Sequence, residues 1–404
     1  MIVFFIPIRI KLSIIFIPLL VLCWLLSGDW KNSIEGIRNN RFSQLLIFFW
    51  FLHLFSVLYS INWQYGLLDV QEKLSFLVFP LFFITYSTSN RIKVINILKI
   101  FLLGCLVSSI VCITNAFHNS ISFGASGLVF NPIPKEVWWE NYFLYYRFSF
   151  LNHPSYLSMF FTFSIAILFL LIKNNQLTNK FTLLYVFTIL YFTFMNYLLS
   201  SRVGLFATSV VEVIGFIWIF YRRVSILLKI LVVSIIPIFL IVFIGMNKRI
   251  NQIDKTNSNI YESRTSLNYY VSKVFDERME IWRCIPPLVV EKPIFGYGVG
   301  DAKPALQKEY EKKGLIDNLK LKYNAHNQFL ETLVGLGFIG LFSLLLLLVY
   351  PIFMVVRKKN NFIELMFLGI LSINFLFESI FERVTGVIFF ALFYSLFFCF
   401  KEID

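Results

Sequence analysis

About eleven stretches of this chain are apolar for long enough to cross a bilayer, which takes roughly 17 to 25 residues each as a helix. They stand at 10–27, 43–61, 73–89, 94–117, 153–172, 181–199, 203–220, 225–245, 328–356, 362–379 and 384–400. A twelfth follows if the N-terminal stretch folds back on itself. A backbone inside lipid must satisfy its own polar groups, so runs of this kind read as helices. Composition agrees: the 404 residues are 58% hydrophobic and only 15% charged, against about a quarter charged in a soluble protein. Forty-nine phenylalanines exceed what a single soluble core can bury. The chain reads as an all-α polytopic membrane protein.

The first 30 residues, "MIVFFIPIRIKLSIIFIPLLVLCWLLSGDW", have the apolar core of a signal peptide but no small-residue cleavage site, so they read as a retained anchor. Cys23, Cys105, Cys112 and Cys399 lie in apolar runs and Cys284 stands alone in a polar segment. No CxxC pair or Cys/His cluster carries a disulfide framework or a metal site, so neither metal nor cofactor is expected. The net charge of +13 is spread over short basic clusters between apolar runs, which argues against nucleic acid. "KNSIEGIRNNR" (31–41), "NRIK" (90–93), "KNNQLTNK" (173–180), "YRR" (221–223) and "RKKNN" (357–361) alternate correctly to be the cytoplasmic loops. The long polar segments 118–152 and 246–327 then share the opposite face with the turns at Ser200–Arg202 and Glu382–Arg383. Three parts of one integrated membrane domain follow: a bundle of about eight helices over 1–245, a large outer loop over 246–327, and the last helices over 328–404.

Within the loop, "NYYVSKVFDERMEIWRCIPPLVV" reads as an amphipathic helix, with Val271, Val274, Phe275, Ile281 and Trp282 near helical spacing. "EKPIFGYGVGD" ends it; no strand precedes the alternating glycines, so they do not read as a dinucleotide loop. The charged stretch "KEYEKKGLIDNLKLK" (308–322) reads as a helix poised over a site.

Several ionisable groups fall at the outer membrane boundary. Arg202 sits between two apolar helices, where an arginine either snorkels to headgroups or meets an anion. Arg278 lies between Glu277 and Glu280, as a surface ion pair or an anion ligand. Arg147 precedes a helix that opens with His153 and Pro154, a capping arrangement. His326 stands two residues before the run at 328, where the positive end of the helix dipole favours the neutral ring. A neutral imidazole at the membrane boundary suits a sugar hydroxyl's proton; the alternative is a capping or headgroup-contacting histidine. Asn327 caps the helix or bonds a substrate. Lys73, Glu378, Glu382 and Arg383 are further candidates on that face, Glu378 with the simpler role of pairing with Arg383 or anchoring an arginine. Guanidinium groups match phosphate oxygens and keep their charge. Arginines and one histidine on one face therefore suggest glycosyl transfer from a lipid diphosphate, with no metal needed to neutralise the leaving group.

The chain resembles the superfamily of bacterial O-antigen ligases and O-antigen polymerases. The resemblance rests on "RMEIWRCIPPLVVEKPIFGYGVGD", a spacer, and "AHNQFLETLVGLGFIG", and extends to "SSRVG" (200–204), "HPSYLS" (153–158) and "EKLSFLVFPLFF" (72–83). It implies a GT-C-like, multi-pass glycosyltransferase of the bacterial inner membrane, with its site facing the periplasm and no metal. Its donor would be a glycan on undecaprenyl diphosphate, its acceptor lipid A-core or a second lipid-linked glycan. It assigns Arg202 and Arg278 to the diphosphate and His326 to the acceptor hydroxyl, with inversion by direct displacement. Arg147, Lys73, Asn327, Glu378 and Arg383 are then substrate-binding candidates. No carboxylate pair argues for a covalent intermediate. Ligase and polymerase differ only in acceptor; the ligase is the reading preferred. A lipid-linked glycan flippase or transporter is the alternative of another class, but no internal repeat supports it and the mid-span ionisable candidates are few, Glu212 and His53 being the clearest. A non-catalytic envelope scaffold is a third.

Overall fold

The structure, a computed structural model, describes residues 1–28, 30–86, 93–124, 127–133, 140–174, 180–220, 278–357 and 361–400. The span expected at 225–245 and the start of the loop helix expected from Asn268 lie outside the described residues. The chain opens with α1 (Ile2–Phe5) and α2 (Ile10–Ser27), then α3 (Lys31–Asn39), α4 (Arg41–Val57), α5 (Trp63–Glu72), α6 (Ser75–Tyr86) and α7 (Val94–Ser120). A two-stranded antiparallel hairpin, β1 (Ile121–Gly124) and β2 (Gly127–Phe130), follows. Next come α8 (Tyr145–Phe148), α9 (Pro154–Asn174), α10 (Lys180–Leu199) and α11 (Arg202–Phe220). After a helical stretch at 278–283 the chain runs through α12 (Ile285–Glu291), α13 (Ala302–Lys312), α14 (Ile316–Lys320), α15 (Gln328–Val355), α16 (Phe362–Phe375) and α17 (Val384–Tyr394).

Among the described residues, α2, α7, α9, α10, α11 and α15 are long and apolar enough to cross a membrane, and α4, α16 and α17 with its π-helical continuation are shorter apolar helices. The chain is an all-α polytopic membrane protein; among the described residues the hairpin is the exception, which the sequence did not foretell. The run expected at 73–89 is shorter: α5 ends at Glu72, and the turn at Lys73 and Leu74 leads into α6. The loop helix breaks at Cys284, because Pro286 and Pro287 have no N–H to continue it and instead fill the first turn of α12.

Helix α9 is the centre of the bundle. It is apolar or small on every side, and such a helix belongs inside; 94% of its span is buried, against 6% for α2. It packs on α7, α10, α11 and α16. A buried polar network ties three of these helices: Ser158 donates to Asn196 at 2.8 Å, and Asn196 donates to Thr208 at 2.8 Å, which shares a 2.7 Å hydrogen bond with Thr162. Close helix contact in lipid is made by small and polar residues of this kind. At Gly204 a Cβ would lie 1.8 Å from the Ser158 oxygen, so only glycine admits the α9–α11 approach. Phenylalanines fill the remaining interior; Phe101, Phe163, Phe389 and Phe393 meet largely edge to face.

The segment from Pro293 to Asp301 crosses α15 where that helix is interrupted at Gly337 (φ 64°, ψ −162°). Tyr297 and Gly298 donate to the carbonyls of Val334 and Gly335 at 2.9 and 2.8 Å, and Phe338 donates to Pro293 at 2.8 Å. The alternating glycines permit backbone contact: a Cβ on Gly296 would lie 2.6 Å from the Gly337 nitrogen, and one on Gly298 2.2 Å from Ser60 Oγ. Asp301 then accepts from the Asn62 N–H at 3.0 Å, fixing the loop to the start of α5. Beyond it, Ile281, Leu288, Leu306 and Tyr310 form a second small core with Ala325 and Val334. The charged stretch at 308–322 is packed into this core through Tyr310, Leu315 and Leu319.

Candidate functional site

The N-termini of α9 and α15 and the C-terminus of α16 meet at one end of the bundle, and Glu378 stands where they converge. One carboxylate oxygen accepts from Ser155 Oγ of α9 at 3.0 Å and lies 3.7 Å from the Arg278 guanidinium. The other lies 3.7 Å from His326 Nδ1, beyond ordinary hydrogen-bond length. Arg278 also lies over the Phe377 ring, 5.6 Å from its centre. All three side chains are largely buried, yet Arg278 and His326 keep 23% and 28% of their surface open, so a ligand can reach them. Burial would raise the Glu378 carboxyl, but the facing His326 ring and Arg278 guanidinium outweigh it and hold it below the usual carboxylate value.

The His326 backbone is held from both sides. Its φ of 46° is left-handed, costly for a non-glycine residue and common at functional sites. Ala325 donates its N–H to Glu331 at 2.7 Å and accepts from the Trp282 indole at 2.9 Å. Ser379 Oγ donates to the same Glu331 oxygen at 3.3 Å and accepts from the Asn327 N–H at 3.3 Å. One buried carboxylate thus reaches the residue before His326 directly, and through Ser379 both the residue after His326 and the one after Glu378. The Tyr323 ring stands edge-on to His326, centres 5.1 Å apart.

Of the residues expected from the sequence, His326, Arg278 and Glu378 are brought together. Glu378 pairs with Arg278 and not with Arg383, which is exposed at the N-cap of α17. Arg202 is the half-buried first residue of α11. Asn327 turns its side chain to the fold: its oxygen accepts from the N–H groups of Phe329 and Leu330, capping α15, and its nitrogen donates to the Leu376 carbonyl. Arg147, within α8, is ion-paired with Glu140. His153 caps α9, accepting from the Ser155 N–H at 3.3 Å, and its other nitrogen bonds the Tyr146 hydroxyl at 2.6 Å.

Lys73 belongs to a neighbouring polar pocket lined by His53, Tyr65, Asp69, Lys303, Gln328, Glu331 and Glu382, and it is ion-paired with Asp69. Burial pushes the Glu382 carboxyl up to about 8, helped by Glu331 and opposed by Lys73. Burial alone would lower the Lys73 ammonium, but Asp69 and Glu382 keep it above its usual value. The mid-span Glu212 accepts from Thr193 of the neighbouring helix.

Glu331, Ser379, Ser155 and Tyr146 were not among the expected residues. Glu331 alone left a mark in the sequence, as a carboxylate one turn inside an apolar run.

Comparison with known proteins bears on the same region. The chain is 28% identical over 155 residues to an uncharacterized protein of Haemophilus influenzae, an overlap covering 37% of this chain and 38% of that protein. The chain therefore matches well under half of that relative's length. The family described as O-antigen ligase matches residues 184–345, a segment that takes in Arg202, Arg278, Glu331 and His326. Over that segment, less than half of its length, the chain is similar to the O-antigen ligase family.

Proposed function

We propose that the protein is a metal-independent, inverting glycosyltransferase that moves a glycan from undecaprenyl diphosphate to lipid A-core, as a ligase, at the periplasmic face of the bacterial inner membrane. The observation that carries this is the meeting of Arg278 and His326 on Glu378, at a bundle end where helix N-termini open. Arg278 and Arg202 receive the diphosphate, whose charge also favours the positive ends of α9, α11 and α15. His326 presents Nδ1 to Glu378, so Nε2 is the nitrogen that takes the acceptor's proton. Glu378 orients the ring and stabilises the imidazolium as it forms, the role a carboxylate plays behind a histidine base. The acceptor oxygen bonds to the anomeric carbon as the bond from that carbon to the phosphate oxygen breaks. The electron pair leaves with the diphosphate, the proton stays on His326, and the anomeric configuration inverts.

The acceptor decides between ligase and polymerase. Purified protein is given undecaprenyl-diphosphate glycan with lipid A-core in one tube and a second lipid-linked repeat unit in another, and products are resolved by electrophoresis. Glycosylated lipid A-core supports the ligase. A ladder of lengthening lipid-linked glycan instead assigns the same site to polymerisation, and no product in either tube refutes glycosyl transfer.

A further inference from the structure

The β1–β2 hairpin takes no part in the proposed reaction, and what it docks on does not depend on that reading. Its register pairs Ile121 with Phe130, Ser122 with Val129, Phe123 with Leu128 and Gly124 with Gly127. Side chains alternate across a strand, so Ile121, Phe123, Leu128 and Phe130 share one face, while Ser122 and Val129 share the other with the two glycines. The first face is wholly apolar and exposed, Phe123 at 86% and Leu128 at 64%. An isolated two-stranded hairpin is marginal in water, and a contiguous exposed apolar face marks a surface that something covers.

The hairpin's surroundings indicate what covers it. Along α7, Leu103, Ile110 and Phe117 are exposed at seven-residue intervals, a stripe on one side of a membrane-length helix that faces lipid. The Phe117 ring lies 6.5 Å from Phe130 and 4.9 Å from Phe143, and Phe143 lies 6.1 Å from Phe130. The apolar face of the hairpin therefore continues the lipid-facing stripe of α7 past the end of the helix. No Asp, Glu, Lys or Arg occurs between Lys99 and Lys135, so no charge holds this segment in water.

We propose that the Ile121–Phe123–Leu128–Phe130 face is a membrane-docking surface whose partner is the bilayer lipid surrounding the α7 stripe. The face lies against acyl chains at the headgroup boundary, and the strand edges stay at the level where water can meet their unpaired backbone groups. The hairpin is also tied to the candidate site: Asn131 donates its N–H to the Ser120 carbonyl at 2.7 Å, and Tyr142 donates to Pro132 at 2.9 Å. The segment so fixed carries Tyr146, which bonds His153 beside Glu378. Lipid contact at the hairpin thereby anchors the strap that flanks the site.

Spin-label accessibility tests this directly. Cys23 is the exposed cysteine and the other four are buried, so single labels are placed in a Cys23→Ser background at Phe123→Cys, Leu128→Cys and Ser122→Cys, with Ile110→Cys as the lipid-facing reference. The full chain is reconstituted in phosphatidylcholine–phosphatidylglycerol vesicles, and collisions with oxygen and a water-soluble nickel chelate are compared. Labels at 123 and 128 are expected to match the reference, high for oxygen and low for nickel, while the label at 122 collides freely with nickel. Free collision with nickel at 123 and 128 as well as at 122 overturns the proposal, because the face then stands in water. Shielding of 123 and 128 from both reagents overturns it too, because protein then covers the face.

Discussion

Replacing Glu331 by alanine removes the acceptor that holds the Ala325 N–H at 2.7 Å and the Ser379 hydroxyl at 3.3 Å. The first is a short bond to a carboxylate within a buried site, worth about 1.5–3 kcal/mol, and its loss leaves a buried N–H at about 1–3 kcal/mol; the longer second bond adds little. Removing a buried carboxylate also relieves a desolvation cost, so the net stability loss should be about 1–3 kcal/mol. The larger effect should fall on turnover. The left-handed His326 backbone is flanked by pinned neighbours, and an ångström of misplacement costs about 100-fold in rate. Glu331→Gln keeps a carbonyl oxygen for Ala325 and should stay within about threefold of wild type. The assay is single-turnover glycan transfer with donor titration, beside thermal unfolding of the same samples. Turnover should fall in Glu331→Ala with little change in donor KM and recover in Glu331→Gln. A folded Glu331→Ala protein with wild-type turnover would refute the argument that this carboxylate positions the histidine.

Three further outcomes follow from the geometry. Gly337→Ala puts a Cβ 2.2 Å from the Ile294 carbonyl at a ψ that only glycine adopts freely; a loss of more than about 3 kcal/mol is expected in thermal unfolding. Glu382 binds its proton more tightly in the folded protein, to about 8, so stability should fall as pH rises from the ordinary carboxylate range to that value. Glu382→Gln should flatten the dependence, and unchanged Tm curves would speak against a protonated Glu382. Asn196→Leu leaves the buried Ser158 hydroxyl without its acceptor, while Thr208 keeps Thr162 and the Gly204 carbonyl; it should cost about 1–3 kcal/mol, read by thermal unfolding in detergent.

The apolar runs made the membrane architecture legible, because their length alone commits them to helices. Boundaries were less so: the run expected from 73 opens as a turn at Lys73 and Leu74, where the buried ammonium pairs with Asp69. Pro286 and Pro287 marked a break in the loop helix, yet the apolar spacing around them masked it. His326 and Arg278 were legible as scarce ionisable groups at helix ends. Their meeting on Glu378 was not, since a long stretch of chain separates the two ends of that cluster and only the folded bundle closes the gap. Asn327 shows the opposite limit: residue type fits capping and ligand binding equally, and only its hydrogen bonds assign it to the helix.

The central claim is that His326 and Arg278, set on Glu378, carry out transfer from a lipid diphosphate. The most direct measurement is single-turnover transfer from undecaprenyl-diphosphate glycan by folded His326→Ala and Arg278→Ala proteins, with donor binding followed separately. His326→Ala should still bind the donor and lose transfer by about 10²–10⁴-fold, while Arg278→Ala should weaken donor binding as well. Transfer at the wild-type rate by a folded His326→Ala protein would contradict the account.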